Sequence, residues 1–536
     1  MPTARNDQDI QGVVLDVTGN RAICRLDLAT LTRSRQQAEH GRAAVASIGA
    51  HIKITVMDRL VVGSLSELKA DRDNDKAIIA EIEFMGEGPC GPDGNLSAFH
   101  RGVTLYPLPG DSLRLTSRDD LEHIFSPHDV PHIHIGTIYP TEDLIAPILF
   151  DRLMSRHFAI VGSNGTGKST LVALMLNRII AAAPQSHVII LDPHCEYASA
   201  FGANAQVWDG SNLQIPYWLM NFEEHCEAFI TSIGESRMID VNIMAKCLIK
   251  ARSKNQHVGN LTKITADSPI SYSVEDLIDA LQEEGSRLEK QADPHHYTQL
   301  RLNIEQFFAD PRFQFLFKRS YWNNSMTQLL GDLLRIPVAG KPISIIDLSG
   351  LPSEIADLAV SILARLIFEF AVWSPHEQRL PVLLICEEAQ RYLPNHETVT
   401  VNSAQRQLER IAREGRKYGV SLGLITQRPS EISETALSQC GTIIALRLNN
   451  LRDQAQVKAI LSESARSYLD IISALQNQEC IISGEGVPVP MRVRIDTLPA
   501  ELAPASYDPA FSERWNRGDE DSDILADTVR NWREGS

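Results

Sequence analysis

The stretch that most constrains this chain is HFAIVGSNGTGKSTLVALML, His157 to Leu176. Phe158 to Val161 read as a short apolar strand, Gly162 to Gly167 as a glycine-rich loop, and Ser169 onward as an amphipathic helix, so the loop lies on a strand-to-helix turn. That is the setting a phosphate-binding loop needs. Gly162, Gly165 and Gly167 allow the backbone to curl with its N–H groups inward, and the helix start adds partial positive charge where phosphates would lie. Ser163, Asn164, Thr166 and Thr170 complete the candidate nucleotide-binding set. Lys168 is placed to reach the β- and γ-phosphates, and the Ser169 hydroxyl to ligate Mg²⁺. The pattern G-x-x-x-x-G-K-[ST] is expected by chance only ~0.02 times in a chain of this length, which sets aside an ordinary glycine turn. ATP and Mg²⁺ are therefore the expected cofactors.

The 536 residues leave room for two or three domains, and the hydrophobic content is that of a globular protein. No apolar run follows the first residues, and none approaches the ~20 residues that span a bilayer. A cytoplasmic protein without a membrane segment is expected. Its eight cysteines are scattered with no C-x-x-C pair, which argues against a zinc ribbon and a disulfide framework. The formal charge of −17 is unlike the basic surface of most nucleic-acid binders, so a DNA role requires a local basic channel. Taken alone, that charge favours a protein partner or plain solubility.

The residues alternate in texture along the chain. Residues 1–100 hold short apolar or alternating runs (IQGVVLDV, HIKITVMD, LVVGSL, AIIAEIEFMG) between turn residues, the pattern of a small N-terminal β-barrel, with a helix conceivable only around Leu31 to Ala46. Residues 101–150 read as a connector. From 151 the pattern is α/β: apolar strands HVIILD, ISIIDLS, VLLICE, SLGLIT and GTIIALRL separated by helices point to a mainly parallel sheet covered on both faces. One such helix runs from an N-cap at Ser353 to about Trp373. The core is thus read as residues 151–217 and 335–498, interrupted by a helical insertion at 218–334. Residues 499–536 form a tail with a short helix over Asp521 to Trp532.

An ATPase needs a carboxylate site beside its phosphate loop, at the C-terminal end of a neighbouring buried strand. VLLICEEAQRYLP provides one: Glu387 as the metal-side carboxylate and Glu388 as the base that prepares water. Gln427, after SLGLIT, takes the place of a sensor between γ-phosphate and water. Arg156, before the loop strand, and Arg413 and Arg416, on the helix QRQLERIAREGRKYG, are candidates for the positive charge that phosphoryl transfer requires. That helix carries Arg406, Arg410, Arg413, Arg416 and Lys417, a basic stripe that either tracks a phosphate backbone or is a charged helix face. His128, His132 and His134 lie close together without an acidic or Cys partner and do not read as a metal site. Asp192, His194 and Glu196 in LDPHCEY fall at the same sheet edge as the loop, without an assigned role.

GSNGTGKST, ILDPHCEY, SIIDLSGLPSEIADLAVSILARLIFEFAVW, LLICEEAQRYLP, EGRKYGVSLGLITQRPSEISETALSQCGTIIALRL and HIGTIYPTEDL together resemble the HerA family of hexameric DNA translocases, in the HerA/FtsK branch of P-loop ATPases. The resemblance runs from about His134 to Leu448. It implies an N-terminal barrel, a RecA-like core interrupted by a helical bundle, and a C-terminal segment that braces the next subunit. It gives Lys168 and Ser169 the nucleotide and Mg²⁺ roles, Glu388 that of catalytic glutamate and Gln427 that of sensor. Arg156 matches the family's trans-acting arginine, and Arg413, with Arg416 as competitor, a second arginine near the γ-phosphate. The chain departs from the family at Gln390, often His, at Cys195, often Gly, and at Glu387, where many relatives of the wider class have Asp.

The implied activity is that of an ATP-driven homohexamer moving double-stranded DNA through its pore. Its implied partner is a NurA-like nuclease, or another effector such as a sirtuin-type NADase or nuclease subunit in anti-phage defence, docked on the barrel. The other reading is an ATP-binding hexameric scaffold that assembles an effector with little motor work. A pumping ATPase for conjugation or secretion is disfavoured by the missing membrane segment.

Overall fold

The computed structural model describes residues 11–29, 31–32, 48–72, 74–127, 130–139, 141, 143–210, 212–255, 263–287, 295–310, 313, 326–395, 403–461, 465, 468, 470–505, 511–516 and 522–534. The helix considered around Leu31 to Ala46 falls almost wholly outside them, as does His128.

Seven strands build the N-terminal part: β1 (Gly12–Thr18), β2 (Arg21–Asp27), β3 (His51–Val56), β4 (Arg59–Ala70), β5 (Ala77–Pro89), β6 (His100–Arg101) and β7 (Ser112–Leu115). Their order is β2-β1-β7-β3-β4-β5-β6, and a further β2–β5 pairing closes six of them into a barrel. β2 shows why: Ala22, Cys24 and Leu26 point into the barrel core while Arg21, Arg25 and Asp27 face water, the period-2 pattern of a strand with one buried face. The barrel does not end near residue 100. β7 lies within 101–150, between β1 and β3, and without it the barrel would stand open.

Helix α1 (Arg118–Phe125) follows, started by a capping box in which Ser117 and Asp120 satisfy each other's backbone N–H groups. Asp120 also receives Lys53 Nζ at 2.7 Å in a fully buried pair, and His51 packs edge-on against Phe125. These contacts, and Arg101 donating to the carbonyls of Gly484 and Val487, fix the barrel to the rest of the chain.

The second sheet contains β8 (His132–Ile138), β9 (Ile145–Leu149), β10 (His157–Val161), β11 (His187–Asp192), β12 (Ala205–Trp208), β13 (Ile343–Asp347), β14 (Val382–Cys386), β15 (Val420–Thr426), β16 (Cys440–Ala445), β17 (Glu479–Gly484) and β18 (Met491–Ile495). Its order is β12-β13-β11-β14-β15-β10-β16-β17-β18-β8-β9. Pairings from β12 to β16 are parallel and those from β16 to β9 antiparallel. Residues 132–149 thus belong to the core sheet and are not a connector. His132 and His134 share the exposed face of β8, with Ile133 and Ile135 buried on the other, so the strand pattern explains them. No group of three or more His, Cys, Asp or Glu among the described residues could hold a metal ion.

Both sheet faces are covered. Along β10, Phe158 and Ile160 enter one core with helix α2 (Phe150–Ser155) and the loop helix α3 (Lys168–Ala182). Ala159 and Val161 enter the other. That second core gathers α4 (Phe222–Phe229), α5 (Gly234–Ser253), α6 (Val274–Arg287), α7 (His295–Ala309), α8 (Met326–Leu334), α9 (Ser353–Trp373) and α10 (Ser403–Tyr418). Between β12 and β13 every described element is helical. Glu224, fully buried on α4, is held by Arg365 and Ser361 of α9. Ser353 is the first residue of α9 and Pro352 holds its cap position. Beyond the sheet, Ala505 N–H donates to the Glu196 carbonyl and Ser199 to that of Ala503, so the start of the C-terminal segment is tied to the turn after β11. A last helix spans Ser522–Glu534. No helix among the described residues is long and apolar enough to cross a membrane.

Candidate active site

In a parallel sheet with covering helices, the loops after the strand C-termini gather at one edge, where such folds bind ligands. Here those loops are Gly162–Gly167 after β10, Glu387–Glu388 after β14, Gln427 after β15 and the turn 193–197 after β11. β15 separates β10 from β14, so the carboxylate strand is not the direct neighbour of the loop strand. The intervening strand brings Gln427 between the phosphate loop and Glu388.

The loop is built as a cradle. Gly162 N–H donates to Thr426 O and Ser163 N–H to Arg447 O, which pins the loop entry to β15 and the residues after β16. A Cβ on Gly162 would lie 2.8 Å from Thr166 Oγ1 and 2.9 Å from Leu446 Cβ, so packing excludes a side chain there. Gly167, at φ +99°, caps α3 in a left-handed conformation that glycine adopts without penalty. Among the described residues, no backbone acceptor engages the N–H groups of Asn164 to Gly167. Thr166 Oγ1 closes back on Ser163 O at 2.7 Å, and Lys168 Nζ rests against the same carbonyl at 3.3 Å. The Lys168 ammonium is buried, which lowers its pKa, against the pull of Glu387, Glu388 and Glu196. A buried cation beside free amides at a helix N-terminus is a site for a polyphosphate.

Glu387 and Glu388 are both buried. Burial pushes the Glu387 carboxyl up to about 8, helped by Glu388 and opposed by the Tyr197 hydroxyl and Lys168. Glu387 and Ser169, the second residue of α3, are a carboxyl and a hydroxyl of the kind that ligate a divalent cation. Glu388 stands in the left-handed region at φ +50°, a costly conformation for a residue with a side chain. It is held by two amides: Gln390 Nε2 donates to Glu388 Oε2, and Gln427 Nε2 donates to the same oxygen at 3.2 Å. Gln390 is braced in turn by the Thr426 hydroxyl at 2.7 Å. The structure therefore joins Lys168, Ser169, Glu387, Glu388 and Gln427 at one edge.

It does not bring the three arginines there. Arg156 precedes β10, at the strand end opposite the loop, ~16 Å away for a five-residue strand, and pairs with Glu485 at 3.1 Å. Arg413 and Arg416 lie in the last two turns of α10, which run toward the start of β15 and so toward that same far edge. Arg413 is exposed and paired with Glu409 at 3.0 Å; Arg416 is exposed as well. Tyr197, which touches Glu387 at 2.5 Å, escaped the sequence reading. Its signal was its place at the end of LDPHCEY, after a strand aimed at the same edge. Cys195, where the family often has Gly, adopts φ +56°.

Residues 133–367 match the family model described as the central domain of helicase HerA. This stretch is similar to a HerA central domain. The match begins at β8, which agrees with 132–149 being part of the core sheet, and ends within α9, before Glu387. The chain is 27% identical over 486 residues to the DNA double-strand break repair helicase HerA of Pyrococcus furiosus, with 82% of each chain covered. It is 27% identical over 511 residues to that of Sulfurisphaera tokodaii, covering 91% of this chain and 95% of that one. Among solved structures, VirB4 of Thermoanaerobacter pseudethanolicus aligns with a TM-score of 0.49 at 13% identity over 70% of this chain and 99% of that one. The plasmid coupling protein TrwB with ADP and Mg²⁺ aligns at 0.48 and 14%, over 74% and 95%. The chain is a P-loop ATP-hydrolysing enzyme similar to HerA helicases, and its phosphate loop, Glu387, Glu388 and Gln427 stand together at one sheet edge.

Proposed function

We propose that this protein is an ATP-driven, Mg²⁺-dependent translocase of double-stranded DNA that works as a homohexamer, with a nuclease or another effector subunit docked on the N-terminal barrel in DNA end processing or anti-phage defence. The observation that carries the reading is the convergence of phosphate loop, glutamate pair and Gln427 on the edge of a HerA-type sheet. The relatives named as double-strand break repair helicases support DNA as the substrate.

ATP with Mg²⁺, when bound, supplies the phosphoryl group and the divalent charge that offsets its oxygens. The chain's own groups do the rest. The amides of Asn164 to Gly167 bind the phosphates, and Lys168 places its charge against them. Ser169 and Glu387 are the side chains that fit the cation. Glu388 accepts a proton from the attacking water at its carboxylate, a role worth about 10²- to 10⁴-fold, and Gln427, bonded to that carboxylate, orients the water. None of the three candidate finger arginines stands at this edge within one chain. Arg156, Arg413 and Arg416 lie toward the opposite edge, where a head-to-tail ring would present them to a neighbour's nucleotide.

The net charge of −17 favours a second reading, an ATP-binding hexameric scaffold that assembles an effector. The test is the ATPase rate of the purified chain with and without linear duplex DNA, at low and physiological salt, alongside its mass in solution. A hexamer whose turnover rises with DNA, less so at higher salt, is the expected result. A hexamer indifferent to DNA at both salts would overturn the translocase reading in favour of the scaffold.

A further inference from the structure

Tyr197 is a buried polar residue at the sheet edge that the scheme above does not use. It is inaccessible to solvent, and its ring stacks on Phe201 with centroids 6.3 Å apart. Its hydroxyl donates to Glu387 Oε2 at 2.5 Å. The phenol thus engages the carboxyl that fits the divalent cation.

The backbone around it is fixed. Asp192, at the end of β11, accepts the N–H groups of His194 and Tyr197 at 3.2 and 3.0 Å. Cys195 takes the left-handed conformation between them, and Ala505 N–H holds the Glu196 carbonyl. The phenol is therefore an anchored group. Its partner Glu387 has one more rotatable bond than an aspartate would, and the hydrogen bond restricts that freedom before a cation arrives.

We infer that Tyr197 is a positioning residue for the divalent cation: its hydroxyl holds the Glu387 carboxylate in one orientation at the edge where Ser169 begins the loop helix, so that the ion meets a placed ligand. This rests on reading the edge as a Mg²⁺-nucleotide site. Groups that orient metal ligands in this way typically account for about 10- to 100-fold in metal affinity.

The test uses the full chain and a fluorescent ADP analogue. Its affinity is measured in EDTA, and Mg²⁺ is then titrated into the ADP-bound protein while thermal melting is followed in parallel. For Tyr197→Phe, which keeps the ring and its stacking, ADP affinity in EDTA stays within about 2-fold of the natural chain while the half-saturating Mg²⁺ concentration rises about 10- to 100-fold. In a Glu387→Ala background the same change adds little, because the group it positions is gone. An unchanged Mg²⁺ requirement would overturn the inference. So would an equal loss of ADP affinity in EDTA, which would make Tyr197 a prop of the loop, or a full additive effect in the Glu387→Ala background. If the natural chain itself bound ADP with no response to Mg²⁺, the reading of the site would fall, an outcome separable from the behaviour of Tyr197.

Discussion

Glu388→Gln separates chemistry from structure at this site. The wild-type carboxylate is buried and receives two amide donors on one oxygen. Glutamine has the same length and keeps an acceptor oxygen, so both donors retain a partner and the φ +50° backbone is unchanged. Hydrogen bonds to a charged group contribute about 1.5–3 kcal/mol and neutral ones about 0.5–1.5, so the two bonds together weaken by about 2–3 kcal/mol. Removing the Glu388 charge also removes a group that disfavours the ionised form of the buried neighbour Glu387, which offsets part of that loss. The net change in stability is small, and the melting temperature should move by only a few degrees.

The rate behaves differently. Glutamine cannot take a proton from water, so hydrolysis slows about 10²- to 10⁴-fold, a barrier increase of about 3–5 kcal/mol at 1.36 kcal/mol per decade. Single-turnover hydrolysis, binding of a fluorescent ATP analogue and thermal melting report the three quantities separately. Hydrolysis within about 10-fold of wild type, with ATP bound, would place the base elsewhere. Loss of binding in step with rate would make Glu388 a structural residue.

Lys168→Ala removes the buried ammonium from the cradle and should abolish ATP turnover; normal hydrolysis by that variant refutes the loop assignment. If Arg156 acts on a neighbour's nucleotide, mixing Arg156→Ala with Lys168→Ala subunits restores ATPase activity at some mixed interfaces, and no rescue at any ratio counts against a trans role. Arg365→Ala strands the fully buried Glu224 and should destabilise the chain by about 3–5 kcal/mol, read by urea unfolding; a loss under about 1 kcal/mol would mean water reaches Glu224. Burial lowers His225 to about 3 and His51 to about 4, so both stay neutral when folded and take up protons near pH 6.5 when unfolded. The unfolded state then binds more protons, so their contribution is full above pH 6.5 and is lost as pH falls toward 4 and 3. At pH 5 each removes about 2 kcal/mol. His51→Phe should flatten the fall in melting temperature between pH 7 and 5, and an unchanged profile would exclude His51 as a source.

The phosphate loop, the VLLICEE strand and the α/β alternation were legible because each is local: an apolar run, a glycine pattern, a carboxylate at a strand end. What the residues could not show was order in space. β14 and β15 are consecutive in the chain, yet the sheet inserts β15 between β14 and β10, and only that insertion explains how Gln427 reaches Glu388. β2 and β7 escaped because Arg21, Arg25 and Asp27 on the exposed face of one and the half-buried Arg114 of the other dilute the apolar signal of short strands. β8 was obscured by its histidines, whose even spacing is that of an exposed strand face. Tyr197 sits five residues past β11, and the contact with Glu387 depends on a turn held by the Asp192 carboxylate, a long-range consequence of two strands ending at one level.

The basic stripe on α10 reads differently once its partners are known. Arg406 reaches Glu223 and Glu227 at 3.1 and 2.5 Å, Arg413 reaches Glu409, and the Arg410 guanidinium lies 4.6 Å over the Phe368 ring. Much of the stripe is therefore engaged within the chain, and Arg406 joins α10 to the helical insertion. Exposed pairs such as Arg413–Glu409 contribute at most about 1 kcal/mol, so a phosphate could take the place of Glu409 at little cost. Glu409 is also bonded to Gln405 and Ser433, and α10 lies between the strand that carries Glu388 and the strand that ends at Gln427. If Arg413 turned to a neighbour's nucleotide, Gln405 and Ser433 would still hold the Glu409 carboxylate through its other oxygen, so the helix would keep its place beside the residues after Gln427.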